Sequence, residues 1–309
     1  MPEICLSTIT KNPQEPHLGQ TISTWLFDWH DLIYVLDFFK ANEAREVYLS
    51  GETAELHPDF SKIVNYVRQR GFLPCIIVSG LTLPWLQQLV VRSSLMENVR
   101  FICRLTDSSP DLFANEAFNL PRGLAENLIL EVLIIREYFD PTPFLQLIRR
   151  QGLKQELILN LVPCNDELTG PGLKPELYGS LARRFADSLD AFMDSGIFPV
   201  WRRGIPLCAF TDSDLGRVCK AGMNHKWRQG QDFVVYPDLS FSPFGVPSLR
   251  KRLSLLEMNS FADISQSIGK LAQGFLFRRC SVCSLRLRKL CDEGVYLNWA
   301  ADLSPGKPL

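Results

Sequence analysis

The sequence predicts an α/β fold, an open (β/α)6 partial TIM-like barrel followed by a small cysteine-containing subdomain. Two observations predict it. Short apolar, β-branched runs alternate with amphipathic segments as far as about residue 165, and the runs are apolar almost throughout, as in parallel strands covered on both faces. From residue 198 the alternation stops and glycine, proline and polar residues become denser. We therefore divide the chain into a barrel domain, residues 1–197, and a C-terminal subdomain, residues 198–309.

The alternation sets the position of each element in the barrel domain. The second helix shows the pattern most plainly, because its apolar residues recur at helical spacing, Pro58 suits a first turn and Gly71 suits a helix end. The predicted strands cover residues 3–10, 46–50, 73–79, 99–106, 127–135 and 156–162. The predicted helices cover residues 30–42, 58–70, 83–92, 143–150 and 175–195.

Composition excludes several functional classes. The chain has 309 residues, of which 46% are hydrophobic and 22% charged, which is ordinary for a globular protein. Its longest apolar runs, such as residues 128–135 with Glu131 inside, are far shorter than the roughly 20 residues of a membrane-spanning helix. The net charge of −1 gives no overall attraction to nucleic acid or acidic membranes. Without a basic and apolar leader at its start, the chain is expected to be cytoplasmic.

Nine cysteines in a chain with no export signal favour buried thiols or metal ligands over disulfides. Cys75, Cys103 and Cys164 lie in or directly after apolar runs, so we expect them to act as small core residues.

Three cysteines near the end of the chain form a partial metal-binding pattern. Cys280 and Cys283 are a C-x2-C pair whose thiolates can converge on one ion, and Cys291 follows eight residues later. Cys219 is the first choice for a fourth ligand; Cys208 and His225 are the alternatives. The pattern fits zinc or an iron-sulfur cluster equally well, and cysteines without metal are the third interpretation.

A barrel places its functional residues at the C-terminal ends of its strands. The predicted strands therefore give six polar candidates for the barrel mouth: Glu52, Ser79, Arg104, Asp107, Arg136 and Asn165. They contain no evident nucleophile and base pair. The four histidines have no catalytic-triad context, and no Walker or GxGxxG loop is present.

Two motifs near residue 50 resemble those of the radical S-adenosylmethionine (SAM) family. Ser50-Gly51-Glu52-Thr53 is similar to the family's GGEP motif, and residues 56–60, Leu-His-Pro-Asp-Phe, resemble its usual continuation. The resemblance implies that Gly51 and Glu52 end the second barrel strand, where the motif meets the amino group of SAM. The first glycine and the proline of GGEP are absent, which weakens the expectation that SAM binds. A glycine and an acid after a strand are also common in other parallel α/β proteins.

The family's C-x3-C-x2-C motif is absent from this chain. In the family these three cysteines follow the first strand and hold the cluster that cleaves SAM. Here Lys11 stands where the first would lie, and Cys5, inside the predicted strand, is the one cysteine in the first 74 residues. A cluster open to SAM needs three thiolates. We therefore expect no radical SAM cleavage by this chain alone.

The C-terminal part resembles the SPASM or twitch extension of peptide-modifying radical SAM enzymes. Cys208 and the run 219–222, Cys-Lys-Ala-Gly, are similar to its opening, and residues 233–239 to its hairpin. Leu239 stands in place of the hairpin glycine, and Phe244 in place of a cysteine. The run from Cys280 to Cys291 is similar to the last cysteine cluster. The resemblance implies an auxiliary metal centre.

These features together imply a degenerate radical SAM-like pseudoenzyme. It would act as a binding or partner subunit that holds a peptide or protein substrate for an intact radical SAM partner in peptide modification. The alternative is an enzyme that uses the barrel mouth or the C-terminal metal centre without cleaving SAM.

Overall fold

A computed structural model of the chain describes residues 2–11, 22–51, 57–79, 98–107, 122–162, 172–197, 199–221, 233–243 and 253–273. Within these ranges the chain has twelve strands and eight α-helices, and ten of the strands belong to a mostly parallel sheet. The predicted α/β class is confirmed in this form. In the same ranges, no helix is both long enough and apolar enough to cross a bilayer.

The chain forms two compact units, and the first is assembled from three separate stretches of the sequence. Unit 1 draws on residues 1–78, 88–101 and 230–268. Its elements are β1 (Pro2–Cys5), β2 (Ser7–Lys11), β3 (Ile22–Leu26), α1 (Trp29–Ala41), β4 (Glu46–Ser50), α2 (Phe60–Gln69), β5 (Leu73–Ser79), and, after unit 2, β10 (Phe233–Val235), β11 (Ser240–Pro243), β12 (Leu253–Ser254) and the start of α8 (Phe261–Gln273).

The sheet of unit 1 has the strand order β12-β11-β10-β1-β4-β5. Strand β1 lies between two parallel partners, β4 and β10, and Ile4 pairs with Leu49 on one side and Val235 on the other. Strand β11 is antiparallel to both of its neighbours, β10 and β12. Strands β2 and β3 form a separate antiparallel pair.

Aromatic packing forms the core of unit 1 at α1. The ring of Phe233 lies 5.9 Å from that of Phe39 and 5.5 Å from that of Phe261, between ring centroids, in edge-on arrangements that aromatic pairs favour. Asn42, which follows α1, accepts a hydrogen bond from the Phe261 N–H at 2.7 Å and donates one to the Phe38 carbonyl at 2.9 Å. One side chain thus joins the end of α1 to the start of α8.

Unit 2 draws on residues 79–87, 102–229 and 269–309. Its strands have the order β6-β7-β8-β9. The elements are β6 (Arg100–Thr106), α3 (Arg122–Ala125), β7 (Leu128–Ile134), α4 (Thr142–Gln151), β8 (Leu157–Leu161), a 3-10 turn (Pro175–Leu177), α5 (Tyr178–Asp187), α6 (Leu189–Ser195), β9 (Pro199–Arg203), a 3-10 turn (Leu207–Ala209) and α7 (Asp212–Lys220).

Most predicted strands coincide with observed ones, but the first does not. Strands β4 and β5 have the predicted bounds, and β6, β7 and β8 differ from them by one or two residues at their ends. The predicted strand 3–10 is wrong, because β1 ends at Cys5 and the chain leaves the sheet at Leu6. The cause is its partner: Cys5 pairs with Ser50, the last residue of β4, so no residue of β4 remains for Ser7 to pair with.

The predicted helix 175–195 is also wrong as a single element. It is divided at Ser188, whose hydroxyl donates to the Phe185 carbonyl at 2.8 Å, so the side chain competes with the helical backbone pattern. The predicted helix 83–92 lies outside the described residues. The predicted division after residue 197 stays a prediction; of the strands beyond it, β9 pairs with β8 and β10 with β1.

Candidate functional site

The two faces of the sheet in unit 2 differ sharply in character. Val132, Leu159 and Trp201 share one face, as their pairing shows, and are at most 3% exposed. Phe185 of α5 packs against Trp201 on this face, with ring centroids 5.1 Å apart. Because β6 to β9 follow one another in chain order, right-handed crossovers place their connecting helices on one side. We call this side the helix-covered face.

The opposite face of the same strands carries polar and half-exposed residues. Glu131, Ile158 and Val200 lie side by side on neighbouring strands, and Leu133 lies beside Asn160 in the next row. Glu131 and Asn160 are buried, whereas Leu133 and Ile158 are half-buried and Val200 is 45% exposed. A fully buried acid within this sheet requires strong partners.

Glu131 is held by three side chains from three other strands. Its Oε2 accepts from Arg104 Nε at 2.7 Å, and its Oε1 accepts from Asn160 Nδ2 at 3.3 Å and Arg202 Nη1 at 3.4 Å. We call Arg104, Glu131, Asn160 and Arg202 the polar layer. Its members lie on β6, β7, β8 and β9, so one acid connects all four strands of unit 2.

The electrostatics of the polar layer keep Glu131 ionised. Burial by itself raises the pKa of Glu131, but the positive charges of Arg104 and Arg202 and their hydrogen bonds outweigh burial and hold the pKa below its ordinary value. The Arg104 side chain is 25% exposed, whereas those of Glu131 and Arg202 are almost wholly buried. Arg104 is therefore the member that faces solvent.

Arg202 occupies an irregular position in its strand. Leu159 pairs with Trp201 but Asn160 pairs with Arg203, so the register shifts and Arg202 is the extra residue of a β-bulge. Bulges re-aim side chains, and this one occurs where Arg202 contacts Glu131. The bulged residue is therefore itself a member of the polar layer.

Hydrogen bonds of Asp107 connect the loop after β7 to the end of β6. Asp107 directly follows β6, and its Oδ2 accepts hydrogen bonds from the backbone N–H groups of Ile135 (3.3 Å) and Arg136 (3.0 Å). Its N–H donates to the Leu133 carbonyl at 3.0 Å. Burial raises the pKa of Asp107, and the backbone hydrogen bonds offset this only in part. Among the described residues, its buried Oδ1 has no hydrogen-bond partner.

The residues of the motif near position 50 have clear structural roles. Gly51 directly follows β4, as predicted, with φ +150°, a backbone conformation that side chains rarely adopt. His57 is buried; its Nδ1 accepts from the Asp59 N–H at 3.2 Å and its Nε2 lies 3.1 Å from the Phe27 carbonyl. With Nδ1 as acceptor, Nε2 carries the proton and donates it. Glu52 lies outside the described residues.

The segment after β1 does not fit the three-cysteine cluster of the radical SAM family. Lys11, where the first cysteine would stand, ends strand β2, which pairs antiparallel with β3. Cys5 lies in β1, half-buried, and no other cysteine precedes Cys75. The donors required for such a cluster are therefore absent from this part of the sequence.

The predicted C-terminal metal centre falls mainly outside the described residues. This applies to Cys280, Cys283, Cys291 and the alternative ligand His225. Cys219 lies near the end of α7 and Cys208 in a 3-10 turn, and both side chains are exposed. Among the residues that the structure does describe, no three His, Cys, Asp or Glu side chains are grouped to hold a metal.

The predicted hairpin is present, with an unusual residue at its tip. Strands β10 and β11 pair antiparallel, and Leu239 between them has φ +57°. This is the left-handed conformation that favours glycine, the residue of the family's hairpin. Leu239 is 9% exposed, so burial of its side chain offsets the backbone strain.

Part of the site could be predicted from the sequence. Of the six candidates, Arg104 belongs to the polar layer, and Asp107 and the exposed Arg136 belong to the contact after β6. Ser79 ends β5, while Glu52 and Asn165 lie outside the described residues. Three members of the polar layer were missed: Glu131, Asn160 and Arg202. The available signal was an acid inside the apolar run 128–135, since a buried carboxylate needs basic residues on neighbouring strands.

No protein-family model matches the chain, and no curated protein matches it significantly.

Proposed function

We propose that this chain is a radical SAM-like pseudoenzyme that acts as a binding or partner subunit and does not cleave SAM. In this proposal the sheet and its helices form an open (β/α)6 barrel. The barrel holds a peptide or protein substrate for a catalytically intact radical SAM partner in peptide modification.

The observation that carries the proposal is the segment after β1. The resemblance around Gly51 and residues 57–60 supports a radical SAM-like scaffold, yet residues 6–74 contain no cysteine and strands β2 and β3 occupy the segment where the family's cluster loop begins. Reductive cleavage of SAM requires an iron coordinated beside the sulfonium, and this segment supplies no thiolate to hold it.

The first experiment measures SAM cleavage directly. The protein, purified anaerobically, is incubated with SAM and a strong reductant, and 5′-deoxyadenosine is quantified. We expect no product above a no-protein control, while an intact radical SAM enzyme treated in parallel gives turnover. Product formation by this chain would overturn the proposal.

The proposal includes a C-terminal metal centre held by Cys280, Cys283 and Cys291 with Cys219 as the fourth ligand. Zinc would be bound tetrahedrally as a structural site, and an iron-sulfur cluster would give a brown protein that bleaches in air. Metal analysis and an absorption spectrum distinguish these cases. Cys283→Ser should lower metal content and the melting temperature together. Cys219→Ser should do the same and Cys208→Ser should not; the reverse result would identify Cys208 as the ligand.

A second function is favoured by Asp107. It lies at the C-terminal end of a strand, where α/β enzymes place their chemistry, and its pKa is raised, as in a general acid or base. An enzyme that uses this position without cleaving SAM is the alternative. The test compares wild type with Asp107→Asn on a peptide and metabolite mixture, with product formation followed by mass spectrometry. Turnover that Asp107→Asn abolishes would favour this second function.

A further inference from the structure

We propose that Asp107 is a pH-dependent latch for the loop after β7. In its neutral form the Asp107 carboxyl holds this loop against the end of β6, and ionisation of the carboxyl releases the loop. The loop, residues 135–141, carries Arg136 and Tyr138 between the C-terminal end of β7 and the start of α4. Parallel α/β proteins place their sites at this edge of the sheet. The latch therefore controls how firmly the edge is held, whatever the edge binds.

Two of the hydrogen bonds that Asp107 makes depend on its carboxyl group. Its Oδ2 accepts from the Ile135 N–H at 3.3 Å and from the Arg136 N–H at 3.0 Å. The third bond, from the Asp107 N–H to the Leu133 carbonyl at 3.0 Å, joins backbone to backbone and is available to most residues at this position. The two contacts of Oδ2 are therefore the part of the attachment that a proton can change.

The second half of the loop is attached by contacts that do not involve Asp107. Phe139 is buried and its ring stacks on that of Phe144, with centroids 6.3 Å apart. Tyr138 is 65% exposed, and the Arg184 guanidinium lies over its ring at 4.1 Å from the centroid. Apolar packing and an arginine that stays charged do not respond to pH near neutrality. The first half of the loop is therefore the part that the latch holds.

The surroundings of the Asp107 carboxyl are unfavourable for a negative charge. Its Oδ1 is buried and, within the described part of the chain, accepts no hydrogen bond. Burial raises the pKa of Asp107, and the two backbone N–H groups with the positive charge of Arg136 offset this only in part. Arg136 is the charged group that acts on the carboxyl from the loop after β7. An ionised Asp107 regains hydration by turning towards solvent, and that turn breaks both contacts of Oδ2.

The latch is closed at low pH and opens as pH rises. An aspartate in an unfolded chain has a pKa of about 3.9, and the pKa of Asp107 in the folded protein lies above that value. Below the unfolded value the carboxyl is neutral in every state, so its contribution to holding the loop is fully present. As pH rises through the folded value, that contribution is lost.

Hydrogen–deuterium exchange of the full chain at pH values from 4 to 7.5 tests the latch. The quantity measured is the protection factor of the Ile135 and Arg136 amides, corrected for the intrinsic effect of pH on exchange. In wild type it should fall about fivefold as pH rises, the contribution of one ordinary hydrogen bond. Asp107→Asn keeps an acceptor oxygen without a charge, so protection should stay constant. Asp140→Asn is the matched control: Asp140 accepts the Thr142 N–H at 2.9 Å in the same loop, and its replacement should leave the wild-type pH dependence.

Arg136→Gln covers the case in which Asp107→Asn fails to fold. It removes, from an exposed side chain, the positive charge that favours ionised Asp107, so the loop should be released at a higher pH than in wild type. Protection that is constant or rises with pH in wild type, the same pH dependence in Asp107→Asn, or release of Arg136→Gln at an equal or lower pH would overturn the latch. The turnover and SAM assays are separate, because a chain inactive in both can still release the loop.

Discussion

Replacing Glu131 by Gln should destabilise the protein by about 3 kcal/mol, because it leaves two arginines around a neutral side chain. The substitution keeps the size of the side chain and one carbonyl acceptor but removes the negative charge. The contacts at stake are Arg104 at 2.7 Å, Asn160 at 3.3 Å and Arg202 at 3.4 Å, in a site where Glu131 is 0% exposed. Loss of one partner of a buried pair costs about 3–5 kcal/mol, and the partial exposure of Arg104 favours the lower end.

The assay is urea denaturation followed by both circular dichroism and tryptophan fluorescence, since coincident transitions support a two-state analysis. Glu46→Gln is the matched control. Glu46 also pairs with an arginine, Arg100 at 3.1 Å, but both side chains are about 30% exposed. Such pairs contribute about 1 kcal/mol or less. A cost below about 1 kcal/mol for Glu131→Gln, or an equal cost for Glu46→Gln, would refute the reasoning.

The stability difference between wild type and Glu131→Gln should also depend on pH. The pKa of Glu131 is lowered in the folded state, so its contribution is fully present above the unfolded value of about 4.3 and is lost as pH falls through the folded value. The stability difference between wild type and Glu131→Gln should therefore be constant near neutral pH and shrink below about pH 4. A difference that grows on acidification would contradict the assigned charge state.

Three further predictions concern other parts of the chain. Asp107→Asn should gain stability relative to wild type as pH rises through the raised folded pKa of Asp107, because the wild-type carboxyl favours its protonated form in the folded state. Denaturation at pH 3 to 7 measures how the difference in stability between the two proteins changes with pH. A difference that does not change with pH would contradict the prediction. Gly51→Ala should lower the free energy of unfolding by about 1–3 kcal/mol because Gly51 has φ +150°. Gly216→Ala in α7, where the new methyl group meets nothing within 4 Å, should raise it by about 0.5–1 kcal/mol. Equal effects of the two substitutions would contradict backbone strain at Gly51. In native protein mapped by mass spectrometry, the exposed Cys219 should be alkylated and Cys103 should not, since burial raises the pKa of Cys103 to about 12; early labelling of Cys103 would contradict its burial.

Continuous apolar runs were the most reliable guide to the fold. Strands β4 and β5 could be delimited from sequence because apolar residues fill their centres and a glycine directly follows each of them. The first strand could not, because its end is set by the length of β4, whose paired residues lie 45 positions further along the chain. The same limit applies to β10, a three-residue strand whose place beside β1 follows from long-range pairing and not from local pattern.

Site residues could be predicted where their position along one strand is sufficient, and were missed where the pairing between strands determines their role. Arg104 and Asp107 were found because polar residues near the C-terminal end of a strand are functional candidates in any parallel sheet. Glu131 and Arg202 were missed because their meaning depends on strand order, on a common sheet face and on the bulge beside Asn160. Cys75 and Cys103 were correctly predicted as buried, since their apolar surroundings are local in sequence.

The pairing of β1 with β10 constrains how the protein can be made. Pro2 pairs with Phe233 and Ile4 with Val235, so the second partner of the first strand emerges from the ribosome only after more than two hundred further residues. Until then one edge of β1 lacks its native neighbour, and an exposed strand edge invites pairing with other chains. Such distant contacts also slow folding. Unit 1 is therefore the part of the nascent chain most in need of a chaperone, and a chain truncated before Phe233 should aggregate.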